Sequence, residues 1–494
     1  MTSASGVLDR RRAGILLHPS SLPGTDGDGG DFGHEAYRFV EFLHASGITL
    51  WQVLPLGPTH RDRSPYQCLS VHAGNPAFIS VDWLRDRGFL EGFVHESANS
   101  DTTTARPAAL RHAGKRFRAS PKGALYAEFT SFVSTEAGWL EDFALYVALR
   151  RHCGNCEWWN WPPELRDRSP EALRLARQQH AGEITQVRFE QFVFFTQWRE
   201  LKAYAQRHDV RMFGDMPIFV AHDSADVWAH RGLFTVDAAG RPEKVAGVPP
   251  DYFSQTGQRW GNPLYRWDAM EADGFRWWRE RLSTQLKLFD IIRLDHFRGL
   301  EAFWEIDADE DTAINGTWVP APGEALLKAL TDAFPDLPLV AEDLGTITPD
   351  VVALRRRFGI PGMKILQFGF DGQTDNPYLP HNTSSHSVVY TGTHDNDTVL
   401  GWYASLEDRV RWEVSSYLGF PGEPMPWPLV RAALASRARF AVVPMQDVLG
   451  LGSDARMNTP GVTVDNWGWR VDKALLSDAL TARLREACRL YGRL

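Results

Sequence analysis

The chain has 494 residues, 43% of them hydrophobic and 23% charged, with a formal net charge of −9. That balance describes a globular protein with a large core, and without a basic patch interleaved with aromatics it argues against a nucleic-acid partner. No run approaches the roughly 18 apolar residues of a membrane span, and the first residues contain no apolar signal region, so a soluble, cytoplasmic protein with no membrane partner is expected.

Short apolar runs bounded by turn residues predict eight strands, centred in chain order on Ile15, Val53, Phe213, Ile292, Val340, Ile365, Val389 and Val442. Most are followed by a helical pattern such as "GEALLKALTDAF" or "PDVVALRRRFG". Strands alternating with helices require crossover connections and a parallel sheet. Eight such units predict a closed TIM (β/α)8 barrel, a single catalytic domain over residues 1–494.

The gaps after the second and third strands are too long for plain crossovers, so both are expected to carry inserted subdomains. The first insertion is expected to be helical over residues 84–185 and includes the Trp-rich "EWWNWPPE". The chain has 19 tryptophans, and buried packing is their commoner use, ahead of stacking on a ligand. Within the same insertion, Cys153 and Cys156 form a C-x-x-C without a second pair or histidines at ligand spacing, so they read as two ordinary thiols. Four cysteines in all suit a reducing compartment. The second insertion is expected over 220–288. Its stretch 248–265, "VPPDYFSQTGQRWGNPLY", reads as a surface loop beside a binding site, with 248–260 as the active-site loop.

Several predicted strands end in groups that resist burial. Asp215, Asp295, Glu342 and Asp395 lie at or just past the ends of the third, fourth, fifth and seventh runs. In a parallel barrel those ends gather at one rim, where active sites are built. An Asp after a strand is often only a helix cap or turn former. Here Arg293, His296 and His394 flank the acids, which caps do not require. Two neighbouring carboxyls can cleave a glycosidic bond when one stays ionised and the other holds a proton. Arg293 shares a strand face with Asp295 and favours its ionised form. Glu342 follows the apolar "LVA", an approach that favours the proton donor. From these residues alone the two roles are exchangeable. A metal-dependent hydrolase using Asp215, Asp295, His296 and His394 as ligands is a rival reading, as is a catalytically silent carbohydrate binder.

"IIRLDHFRG", "VAEDLG" and "TGTHDN" resemble the signature blocks of the amylomaltases, the 4-α-glucanotransferases of glycoside hydrolase family 77 in the α-amylase clan. The resemblance extends through "GILLHPSSLPG", "WQVLPLGPT", "SPYQ", "GDMPIFV", "PPDYFSQTGQRWGNPLY" and "RMNTPG…NWGWR" and so spans nearly the whole chain. It implies a retaining double displacement that moves part of a 1,4-α-glucan to an acceptor glucan, with maltodextrins and amylose as substrates and no metal or cofactor. Asp295 is implied as nucleophile, Glu342 as general acid/base and Asp395 as the third acid that stabilises the distorted sugar. Ser64, Tyr66, Asp215, Asp251, Gln258, Trp260, Arg293, His296, His394 and Asn466 are implied to shape or bind the substrate site.

Overall fold

A computed structural model of the chain describes residues 6–24, 29–93, 105–250, 254–462 and 464–494. Its strands are β1 (Arg12–Leu16), β2 (Leu50–Gln52), β3 (Arg211–Pro217), β4 (Lys244–Val248), β5 (Gln258–Pro263) and β6 (Ile291–Asp295). They continue with β7 (Ala302–Asp307), β8 (Gly316–Pro320), β9 (Leu339–Ala341), β10 (Gly362–Ile365), β11 (Ser387–Tyr390) and β12 (Phe440–Pro444). The barrel closes in the order β1-β12-β11-β10-β9-β6-β3-β2, every pair parallel. All eight predicted strands are in it.

The strand period of two explains how one segment can be both core and site. Ile291, Arg293 and Asp295 alternate with Ile292 and Leu294 along β6. Ile291 joins an interior cluster with Phe213, Val340, Val388, Phe440 and Val442, whereas Ile292 and Leu294 belong to the layer packed outside the barrel. The interior column is thus apolar at the base and turns polar toward the carboxyl ends. Space inside is tight: a Cβ on Gly14 would lie 2.9 Å from the Leu50 Cβ and 3.1 Å from Val442.

Between β2 and β3 stand the helices Ala105–Ala119, Ala124–Thr135, Ala137–His152 and Pro170–Gln179. They pack on the 27-residue helix Ala181–Arg207, which runs past residue 185 as one continuous rod into the barrel layer. Phe117 joins the two parts, its ring 5.0 Å from Phe189 and 5.3 Å from Phe129. Residues 94–104 of this region lie outside the described residues. The Trp-rich stretch is largely packing. Trp158 and Trp161 are buried, and Trp161 meets Trp228 edge to face at 5.5 Å. Cys153 and Cys156 are free thiols in the turn that follows the helix Ala137–His152.

The stretch 248–265 differs from its expected form. Residues 258–263 are β5, the edge of a four-stranded antiparallel sheet ordered β5-β4-β7-β8. An edge position accommodates its glycine and terminal proline, which made the composition look like a loop. The same sheet is completed by the β7–β8 hairpin after β6, an insertion that the strand count did not anticipate. Among the described residues no helix is long and apolar enough to cross a membrane.

The first and last barrel strands meet at a seam held by the penultimate residue. Arg493 is fully buried. It donates to the carbonyls of Leu434 (2.7 Å), Arg12 (2.9 Å), Arg439 (3.2 Å), Ser436 (3.1 Å) and Ala438 (3.1 Å). Arg12 opens β1 and Arg439 precedes β12, so one guanidinium ties both sides of the closure. Arg493→Ala should therefore cost about 2–4 kcal/mol, the scale of losing several charge-assisted hydrogen bonds in a buried place. A guanidinium chloride titration followed by circular dichroism checks this, and a midpoint equal to that of the parent chain would refute the latch.

Candidate active site

The register of β3 and β6 builds the site floor. Asp215 pairs directly with Arg293, and Pro217 with Asp295. Side chains at paired positions on one face are neighbours, and here they are opposite charges. Arg293 Nη1 donates to both Asp215 oxygens at 2.8 and 2.7 Å, and Nη2 lies 2.7 Å from Asp295 Oδ1. Asp215 is closed to solvent, while Asp295 is 28% exposed at the cleft. Burial works against the Arg293 charge, but Asp215 and Asp295 outweigh it and hold the guanidinium pKa well above its usual value. Tyr66 adds to the row by donating its hydroxyl to Asp215 Oδ2 at 2.7 Å. Burial, reinforced by Asp215, pushes the Tyr66 phenol well up, so it stays a donor.

Glu342 comes from the neighbouring strand end. Leu294 pairs with Ala341, and the next residues are Asp295 and Glu342. Adjacent strands lie about 4.8 Å apart, so the two acids sit side by side. Glu342 Oε2 accepts from the His296 N–H at 2.7 Å, the peptide group that directly follows Asp295, and Oε1 accepts from the Leu344 N–H at 3.0 Å. To donate there, His296 adopts φ 52° and ψ 49°, a left-handed conformation that costs a residue with a Cβ. Glu342 keeps part of its surface open to the cleft, yet the enclosing protein pushes its pKa up to about 8. Arg293 pulls the other way and Asp295 adds to the rise.

The third acid stands on the loop after β11. Asp395 is also partly enclosed, which alone would raise its pKa; His394 Nε2 at 3.3 Å and Asn458 Nδ2 at 2.6 Å outweigh that and hold it down to about 2. His394 stacks on Tyr66, ring centroids 5.3 Å apart at 16°, with Trp467 packed against both. Trp260 on β5 meets His296 edge to face at 4.8 Å. His296 Nε2 is buried with no partner among the described residues, and burial lowers its pKa to about 4, leaving a neutral ring.

The other expected residues fall in several places. Ser64 accepts from the Tyr66 N–H at 3.4 Å and so shapes the turn under that ring. Gln258 accepts from Trp260 Nε1 at 3.2 Å. Asn466 is committed to its own loop: its amide donates to the carbonyls of Thr459 and Val462 and accepts from the Thr459 N–H. Asp251 lies outside the described residues. Asn458 and Trp467 were not singled out from the sequence. Both fall inside the "RMNTPG…NWGWR" stretch, which was their one signal. Among the described residues no three His, Cys, Asp or Glu side chains are grouped to hold a metal.

The model of the 4-alpha-glucanotransferase family of glycoside hydrolases 77 matches residues 17–476. The chain is 49% identical over 497 residues to the 4-alpha-glucanotransferase of Thermus thermophilus, spanning 98% of this chain and 99% of that protein. The chain belongs to glycoside hydrolase family 77. A second 4-alpha-glucanotransferase, from Synechocystis, is 46% identical over 500 residues and 99% of both chains. The fold agrees with the amylomaltase of Streptococcus agalactiae solved with acarbose, at a TM-score of 0.93 and 37% identity over 98% of this chain and 100% of that one.

In this family 77 site two acids share Arg293, and its loss strands Asp215 in a dry place where burial already raises its pKa. Arg293→Met should cost about 3–5 kcal/mol. Adding Asp215→Asn should recover most of it, because no charge is then buried alone. Urea midpoints of the single and double variants measure the difference; equal midpoints would mean that the pair carries no such burden.

Proposed function

We propose that the chain moves a segment of a 1,4-α-D-glucan to the 4-hydroxyl of an acceptor glucan or glucose by a retaining double displacement, with Asp295 as nucleophile, Glu342 as acid/base and Asp395 binding the distorted sugar. The observation that carries this is the contrast between two adjacent carboxyls: Asp295 lies against a guanidinium, whereas Glu342 is enclosed and keeps its proton up to about pH 8. The charge of Asp295 reaches Glu342 and adds to its raised pKa, which supports a close pair of the kind that retaining enzymes use.

In the first step an Asp295 oxygen bonds to the anomeric carbon while the glycosidic C–O bond breaks, and the Glu342 proton goes to the departing 4-oxygen. In the second, Glu342 takes the proton of an acceptor 4-hydroxyl as that oxygen bonds to the anomeric carbon and releases Asp295. Asp395, ionised and held by Asn458 and His394, faces charge that develops on the ring. His296 Nε2, without a partner among the described residues, is suited to a sugar hydroxyl, and Tyr66, backed by His394, offers a flat face to a sugar ring. Maltodextrins and amylose are the donors and acceptors in this reading. Four free thiols fit a cytoplasmic setting.

Transfer requires that a glucan hydroxyl beat water to the intermediate. Trp260 borders His296 and is backed by the buried Phe219, rings 6.3 Å apart, and supplies an apolar wall. Such a wall lowers local water and holds the acceptor in line. In this reading that wall, mounted on β5, acts as the gate.

Incubation with maltotriose tests the reaction. A ladder of longer maltodextrins with some glucose is expected, abolished by Asp295→Asn; only shorter sugars would mark a hydrolase, and an active Asp295→Asn would remove the nucleophile. The pH dependence tests Glu342. Its raised pKa means that the proton is present at neutral pH and is lost as pH rises through about 8, so kcat/KM should fall above that pH. With an α-maltosyl fluoride donor, whose leaving group needs no proton, fluoride release should lack that limb; a limb that persists would assign it to another group.

A further inference from the structure

One buried carboxyl has no task in the chemistry above. Asp447 is 1% exposed and lies on the short helix Met445–Leu449 that directly follows β12. Its two oxygens reach the two ends of a single loop. Oδ2 accepts from the Thr391 hydroxyl at 2.6 Å, on the residue after the last one of β11. Oδ1 accepts from the Val399 N–H at 2.7 Å, the first residue of the helix Val399–Ser405. Between those two points hang His394 and Asp395.

The rest of the loop is tied to the same part of the barrel. Ser453 donates to Asp397 Oδ2 at 2.7 Å, and Gln367 donates to the Asp397 carbonyl at 2.9 Å. Asn396 Oδ1 accepts from the backbone and hydroxyl of Thr393. These contacts shape the middle of the loop, whereas Asp447 sets the distance and orientation of its ends. A carboxylate kept in a buried place is costly unless hydrogen bonds offset it, and both of these bonds have the short lengths of charge-assisted pairs. Helix capping alone does not account for the arrangement. Thr398 already caps the helix Val399–Ser405 through the Gly401 N–H, and the Thr391 bond lies on the strand side of the loop.

We infer that Asp447 is a positioning residue, a two-ended clamp that holds the 391–399 loop so that Asp395 and His394 meet the sugar in register. The clamp rests on the reading of Asp395 as a catalytic acid. It contributes nothing to the reacting atoms itself; it removes freedom from the residues that do, and misplacement of such groups by about 1 Å costs roughly 10²-fold in rate.

The charged group that presses on Asp447 is Asp397 of the clamped loop; Arg456, on the following turn, is spent on the carbonyls of Asp395 and Asn458. Burial, with Asp397 adding, raises Asp447 to about 6, while the Thr391 and Val399 bonds oppose the rise. Below that pH the carboxyl gains a proton and loses an acceptor, so the clamp loosens in acid.

Asp447→Asn, Thr391→Val and Asp395→Asn, measured by maltotriose disproportionation over a pH series, test the clamp. Asp447→Asn keeps the shape without the charge and should lower kcat about tenfold, with KM within about twofold, and should abolish the acid limb near pH 6. Thr391→Val removes one bond, keeps the carboxylate and should lower kcat while moving that limb to higher pH. If Asp447→Asn does not fold, Thr391→Val decides on the same two readouts. An inactive Asp395→Asn beside variants with unchanged kcat and an unmoved limb would overturn the clamp while leaving the reading of Asp395 intact. A fully active Asp395→Asn would overturn that reading, and the clamp with it.

Discussion

The site depends on one guanidinium. Arg293 stands inside the barrel and divides its donors between Asp215, which is sealed from solvent, and Asp295, which is open to the cleft. The division makes each contact serve the other. Asp215 fixes the guanidinium plane and balances its charge, so the remaining edge is aimed at Asp295 with little freedom. Tyr66 extends the row by bonding Asp215, which ties the orientation of an aromatic plate to the same ion pair. Lysine in place of Arg293 is a single point charge and lacks the planar fork that joins two carboxylates.

From that fixed point the three acids acquire different characters without differing in kind. Glu342 is enclosed by protein, which drives its carboxyl toward the neutral form although the His296 N–H opposes that drive. Asp395 is surrounded by side-chain donors and is driven the other way. Environment, rather than residue type, separates a carboxyl that keeps its proton from one that stays ionised. The carboxyl ends of β6, β9 and β11 supply these environments because each strand runs from an apolar interior to a rim where backbone and side-chain donors meet the acids.

The peripheral elements extend this logic outward. The antiparallel sheet β5-β4-β7-β8 draws one half from the segment after β3 and the other from the segment after β6. Trp260 therefore reaches His296 on a strand, a firmer mount than a loop. Opposite it, the segments after β11 and β12 are bound to each other through Asp447, Ser453 and Asn458. Walls of the cleft come from different insertions, and each is braced by a neighbour from another part of the chain.

Residue pattern alone determined the eight barrel strands, since an apolar run with turn residues at its ends is a local property. It also determined that Arg293 and Asp295 share a face, because the strand period of two depends only on sequence spacing. The acids themselves stood out as carboxylates placed where an apolar run stops. Tertiary structure decided what no spacing encodes: that Arg293 would pair with Asp215, that Asn458 would bond Asp395, and that Asn466 would spend its amide on its own loop. It also decided that residues 258–263, glycine-bearing and ending in proline, would be a strand, because β4 and the later β7–β8 hairpin offer a sheet edge to complete. Partners far apart along the chain meet only after the barrel has closed. Their hydrogen bonds, and the pKa values those bonds set, therefore belong to the closed fold and not to any segment of it.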